Sequence, residues 1–212
     1  MKPRWVLFDL NGTVLDPGAV GEPLGLSREG SLAALDDAIL GAMAETLSGS
    51  YRPLPEFLRA ALLLRAGTDS GIDEAMERAR AMPPYPDCSS ALGRLRSAGV
   101  ATGVLTNSAR DTAEKALAAA GLRDLLDVVA GSDEVRAFKP DPRVYRLGIE
   151  RTGAAPGEVC MVASHWWDLM GAARAGMRTA WVERDGRGLS EAGPAPDARA
   201  ATLDELAARL SS

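Results

Sequence analysis

Cysteine is scarce in this chain of 212 residues, and the two present, Cys88 and Cys160, lie in separate segments with no Cys-x-x-Cys spacing. That excludes a metal knuckle and a disulfide framework, and a reduced, cytoplasmic setting fits. No apolar run approaches the roughly 18 residues that a membrane span needs. The first such run, Trp5 to Phe8, stops on Asp9, far short of the apolar core of a secretory signal. Neither a targeting segment nor a membrane partner is expected. Lysine is almost as rare: Lys2, Lys115 and Lys139 are the three, and the remaining positive charge is arginine. With a net charge of -5 and no basic cluster, nucleic acid is excluded as the main partner, because phosphate neutralisation needs a concentrated positive surface.

What is present suits a folded enzyme or binding protein. A chain of this length can bury about 70% of its unfolded surface, and both a single core with an inserted subdomain and two equal domains fit. The stretch Trp5-Val6-Leu7-Phe8-Asp9-Leu10-Asn11-Gly12-Thr13 organises the rest. Consecutive apolar residues bounded by a turn read as a buried strand, with Asp9 at its carboxyl end. There Asp9 is either a site residue or a structural cap that accepts from the Gly12 and Thr13 amides.

After the breaker cluster Asp16-Pro17-Gly18, apolar residues recur at helical intervals from about Leu24 to Met82, predicting an insert of three or more helices. Pro83-Pro84-Tyr85-Pro86-Asp87 closes it, since consecutive prolines cannot continue a helix. Strand and helix then alternate. Helices are predicted over 91–98, 112–120, 141–152, 168–175 and 203–210, the first four stopped by Gly99, Gly121, Gly153 and Gly176. Strands are predicted over 101–106, 128–130, 159–163 and 179–182, and the Gly-, Pro- and Ala-rich stretch 184–201 reads as loop. The fold class is therefore α/β, a doubly wound parallel sheet, with the core formed by 1–15 and 85–212 and a helical subdomain inserted at 16–84.

In such a sheet the strand ends share one rim, where ligands bind. Thr106-Asn107-Ser108 follows the second strand and offers donors to an anion, or simply caps the next helix. Lys139, between Phe138 and Pro140, is aimed by its turn and would pair with a carboxylate on the rim, with Tyr145 close enough to line the same pocket. Ser164-His165-Trp166-Trp167-Asp168 follows the fourth strand and brings the only histidine beside a carboxylate, in what reads as a loop.

In this order, Asp9-Leu10-Asn11-Gly12-Thr13, Thr106, Lys139 and Asp168 resemble the haloacid dehalogenase superfamily over essentially the whole chain. Lys139 to Tyr145 and Trp167 to Ala172 are more narrowly similar to its L-2-haloacid dehalogenase branch. The resemblance implies that residues 16–84 form a cap, that Asp9 is a nucleophile forming a covalent ester, and that Lys139 keeps it ionised. It further implies that Thr13 and Thr106 orient nucleophile and substrate, and that Asp168 helps activate water. Leu10, Asn11, Asn107, Tyr145, Ser164, His165 and Trp167 are the expected substrate contacts. Phosphatases of the superfamily carry a second Asp where this chain has Asn11, which has no proton to give a leaving alcohol. They also carry an acidic magnesium ligand where it has Ser164, leaving only Asp9 and Asp168 for a weak Mg site. A small-molecule substrate and a metal-independent reaction are expected, and a homodimer is left open. Two alternatives stand beside the dehalogenase reading: a magnesium-dependent phosphatase, and a catalytically silent binding protein. The region 32–42, matching the halide-receiving helix of the branch, has no arginine, so Arg28, Arg52, Arg59 and Arg65 are the candidate substitutes.

Overall fold

Each residue of the first strand, β1 (Trp5–Phe8), serves one of two cores. Val6 and Phe8 point into one, with Leu92 and Leu95 of α4 (Cys88–Ser97), Leu117 of α5 (Arg110–Ala119) and Leu206 of α8 (Leu203–Leu210). Leu7 points into the other, with Val144 and Tyr145 of α6 (Pro142–Thr152) and Ala172 of α7 (Trp166–Arg174). A strand covered on both faces has no polar side, which is why its sequence is continuously apolar.

The computed structural model describes residues 2–212. β1 is joined by β2 (Ala101–Thr106), β3 (Val128–Gly131), β4 (Val159–Ala163), β5 (Arg178–Val182) and β6 (Ala198–Ala200) in one six-stranded sheet of order β3-β2-β1-β4-β5-β6, every pairing parallel. The doubly wound α/β class holds. The strand order reverses direction between β1 and β4, so the crevice beyond their carboxyl ends is the position where this topology binds ligands.

Between β1 and β2 the chain inserts α1 (Arg28–Leu47), α2 (Leu54–Ala66) and α3 (Ile72–Arg80). Its two ends meet. The Asp16 amide donates to Pro83 O (2.8 Å), the Tyr85 amide donates to Val14 O (2.9 Å), and Leu15 forms an antiparallel bridge with Pro84.

Two expectations are corrected. Trp166 and Trp167 lie in the first turn of α7, which starts two residues ahead of the expected Asp168, with His165 extended before it. Asp168 is then the third residue of the first turn, where the helix dipole favours an acid. The stretch read as loop after Arg184 contains β6, which has no apolar pattern of its own and exists through backbone pairing of Ala198 to Ala200 with Ala180 to Val182.

Candidate active site

The turn after β1 sets the site. The Asp9 amide continues the ladder to Val162 O (2.9 Å), and the amides of Thr13, Val14 and Leu15 all converge on Leu10 O. Asp9 is therefore not the cap of this turn, and its carboxylate faces side chains. Thr13 Oγ1 donates to Asp9 Oδ2 (3.0 Å), Lys139 Nζ to Asp9 Oδ1 (3.1 Å), and His165 Nδ1 lies 3.2 Å from Asp9 Oδ2. Facing a carboxylate, Nδ1 carries the imidazole proton, which leaves Nε2 as a bare acceptor when the ring is neutral. His165 Nε2 is buried without a hydrogen-bond partner among the described residues.

Lys139 Nζ also donates to Asp168 Oδ2 (2.6 Å), and Tyr145 OH donates to Asp168 Oδ1 (2.8 Å). The ammonium is fully buried between the two carboxylates. Its backbone is pinned from β2: the Lys139 amide donates to Asn107 Oδ1 (2.8 Å), and Ser132 Oγ donates to Asn107 O (2.7 Å). Thr106 Oγ1 accepts from the Ser108 amide (3.0 Å). Ser164 Oγ donates to Gly12 O (2.7 Å), and its amide donates to Thr13 Oγ1 (3.1 Å). Gly12 is required here: its φ is +80°, and a Cβ would lie 3.1 Å from His165 Cε1.

Burial alone would raise the pKa of Asp9, but the Lys139 charge and then the His165 bond outweigh it and hold Asp9 well below the usual carboxylate range. Lys139 is likewise opposed by burial and held above its ordinary value by the charges of Asp168 and Asp9. Asp168 moves upward, because burial exceeds the pull of Lys139 and Asp9 adds a like charge. The cluster thus contains one committed anion, Asp9, and one permanent cation.

The expected contacts separate around two cavities. One, of about 220 Å³, runs between the core and the insert and is lined by Asn11 and Ser108 from the core and by Ser31, Leu35, Leu54 and Met76 from the insert. Asn11 Nδ2 donates to Ser108 Oγ there (3.1 Å). The other, more open, is bordered by Ser164, His165, Trp166 and Trp167, with the Trp167 ring 5.1 Å from that of His165. Leu10, Asn107 and Tyr145 border neither: Leu10 is in the core and Asn107 holds Lys139. Tyr145, expected in the pocket, lies behind Asp168, fully buried.

None of the four arginines considered as halide receptors lines the first cavity. Arg28 is bound by Asp16 and Asp185, Arg52 by Glu45 and Arg65 by Asp37, while Arg59 faces a separate depression beside Asp73. The cations on the first cavity are Arg80 and Lys115, which sequence reasoning missed. The rarity of lysine was the one available signal.

A family model for haloacid dehalogenase-like hydrolases matches residues 3–176. The chain belongs to this family. Among the family's characterised members, this hydrolase is 31% identical over 194 residues to (S)-2-haloacid dehalogenase 4A of Burkholderia cepacia, covering 86% of this chain and 84% of that one. Its structure is similar to that of a dehalogenase solved as an intermediate complex, at a TM-score of 0.91 and 29% identity, covering 100% of this chain and 98% of the other. It is also similar to the L-2-haloacid dehalogenase of Xanthobacter autotrophicus with chloropropionic acid covalently bound, at a TM-score of 0.86 and 25% identity, with 98% of each chain covered. As a haloacid dehalogenase-like hydrolase the protein is an enzyme, and among the described residues no helix is long and apolar enough to cross a membrane.

Proposed function

We propose that this hydrolase removes halide from 2-halocarboxylic acids through an ester on Asp9, with the helical insert acting as the cap over the reacting groups. The observation that carries the reading is the buried Asp9 carboxylate, fixed as an anion by Lys139, Thr13 and His165. An Asp9 oxygen attacks the halogen-bearing carbon as the carbon–halogen bond breaks, and halide leaves with the bonding electrons. Water then attacks the Asp9 carbonyl carbon as one of its protons passes to His165 Nε2. The bond from that carbon to the ester oxygen breaks, the departing alkoxide takes the proton back from His165, and the 2-hydroxy acid leaves with an oxygen that came from Asp9 while the remaining water proton is released as Asp9 ionises again. Asp168, sealed behind Lys139, holds that cation in position.

Divalent-metal chemistry of the phosphatase kind does not fit these residues. The position between the Asp9 and Asp168 carboxylates is filled by the Lys139 ammonium, and Ser164 supplies a hydroxyl already committed to Gly12 O. We assign no step to a metal. The two free, buried thiols, Cys88 and Cys160, support a reducing, cytoplasmic setting.

The test is halide release from 2-bromopropanoate with and without chelator. Release unaffected by chelator is expected, together with a loss of at least roughly 1,000-fold in Asp9→Asn. In His165→Ala the ester should accumulate on the Asp9 peptide and be seen by mass spectrometry. Phosphate release from aryl phosphates that requires magnesium, with no halide release, would overturn the reading.

A further inference from the structure

The cavity that reaches Asn11, two residues beyond Asp9, is larger and more apolar than the substituent of a short haloacid requires. If the reacting carbon, its carboxylate and its halogen sit at Asp9, only the substituent on that carbon extends past Asn11 and Ser108. In 2-chloropropanoate the substituent is one methyl group. An apolar cavity of roughly 150 Å³ accommodates benzene, and this one is about 220 Å³. Its wall of Val20, Leu35, Leu54, Leu58, Met76 and Met82 offers a methyl group little of the contact it could give a chain.

The two ends of the cavity differ. At the inner end Ser108 is buried, and its hydroxyl accepts from Asn11. Its own proton, and the second amide proton of Asn11, remain to receive a carboxylate. At the outer end Pro55, Arg80 and Lys115 are exposed, so the cavity opens between α3 and α5 past two cations. Lys115 makes no ion pair among the described residues, and Arg80 pairs only with Glu77, an exposed neighbour on the same helix. A chain with a net charge of -5 and three lysines has put one of them beside this opening.

We propose that the substrate is an elongated 2-halo acid, whose apolar segment of several methylenes fills the cavity and ends in a second anionic group between Arg80 and Lys115. The proposal rests on the reading of Asp9 as the alkylated nucleophile. Lys115 and Arg80 are then specificity-determining residues, acting on the far end of the substrate and remote from the chemistry.

Halide release is compared across 2-bromopropanoate, 2-bromohexanoate, 2-bromooctanoate and 2-bromooctanedioate. Each added methylene should raise kcat/KM by about threefold to fourfold until the cavity is full. The dioate should exceed the octanoate by about fivefold at low salt, as two partly exposed charge contacts would give. In Lys115→Met that dioate preference should shrink, mainly through KM. A flat or falling chain-length profile overturns the proposal, and so does a dioate no better than the monoacid. If no bromoacid at all releases halide, the reading of Asp9 has failed instead. Binding of unhalogenated octanedioate, followed by tryptophan fluorescence, then decides the cavity: binding at least tenfold tighter than propanoate supports it, and equal binding overturns it.

Discussion

Lys139 is the residue on which the electrostatics of the site depend. Its ammonium lies within 3.1 Å of Asp9 and 2.6 Å of Asp168, and among the described residues no other lysine or arginine pairs with either carboxylate. Lys139→Met would leave two buried carboxylates facing each other, and removing one partner of a buried ion pair costs about 3–5 kcal/mol. The pH dependence follows with a definite sign. In the parent protein the folded pKa of Asp9 is depressed, so its contribution to stability is present above the unfolded carboxylate value and is lost as pH falls through the folded one. Without the ammonium, burial is no longer outweighed, the Asp9 pKa rises, and the acid limb of kcat moves upward. Urea titration and a pH–rate profile of Lys139→Met check both expectations. An unchanged acid limb would mean that Lys139 does not set the charge of Asp9.

At the scale of elements, the site depends on how closely α6 and α7 approach. Tyr145 reaches Asp168 across the position of Gly171, where a Cβ would lie 2.4 Å from the Tyr145 ring. Gly171→Ala should therefore push the ring aside and loosen its bond to Asp168, at about 1–3 kcal/mol of overpacking. A thermal melt with a Tyr145→Phe, Gly171→Ala double variant tests this, since the two costs should be far from additive. Much of this arrangement was legible from the chain: Asp9 directly follows one strand, Lys139 and Asp168 lie in the segments that follow two others in an alternating pattern, and convergence on the rim follows from topology. The helix start at Trp166 was not, because two tryptophans and a histidine give no helical period over three residues. Lys115 was not legible either. Its place on the cavity depends on α5 lying opposite α3, a long-range packing relation that local patterning does not contain. Three of the four arginines considered in its stead, Arg28, Arg52 and Arg65, are held by acids scattered from Asp16 to Asp185, pairings that only the folded chain reveals.

For the molecule as a whole, Arg184 ties together segments far apart in sequence. Its Nε donates to Thr13 O (3.0 Å) in the turn beside Asp9, and its two terminal nitrogens bind Asp87 at 2.8 and 2.9 Å, where the chain returns from the insert. Asp87 Oδ2 also accepts from the Leu203 amide (2.8 Å) at the start of α8. Arg184→Met would strand a half-buried carboxylate and free the site turn, so a loss of about 3–5 kcal/mol in stability is expected. Halide release below the melting transition should fall as well, because Thr13 loses its anchor. A variant as stable as the parent would mean that the junction holds without this guanidinium.

That same junction bears on how the cavity is enclosed. Val14, Leu15 and Asp16 run alongside Pro83, Pro84 and Tyr85 as the base of a hairpin whose loop happens to be three helices long. Two such backbones lie close enough for a two-residue turn to join them. The insert also reaches the nucleophile's partner from above: the Phe138 amide, next to Lys139, donates to Thr46 Oγ1 (3.0 Å), and the Phe138 ring stacks on Tyr51. The cavity is walled from both sides of this seam, by Leu35, Leu54 and Met76 of the insert and by Ser108, Thr112 and Lys115 of the sheet domain, so its shape is shared between two stretches of chain that part at one hairpin base.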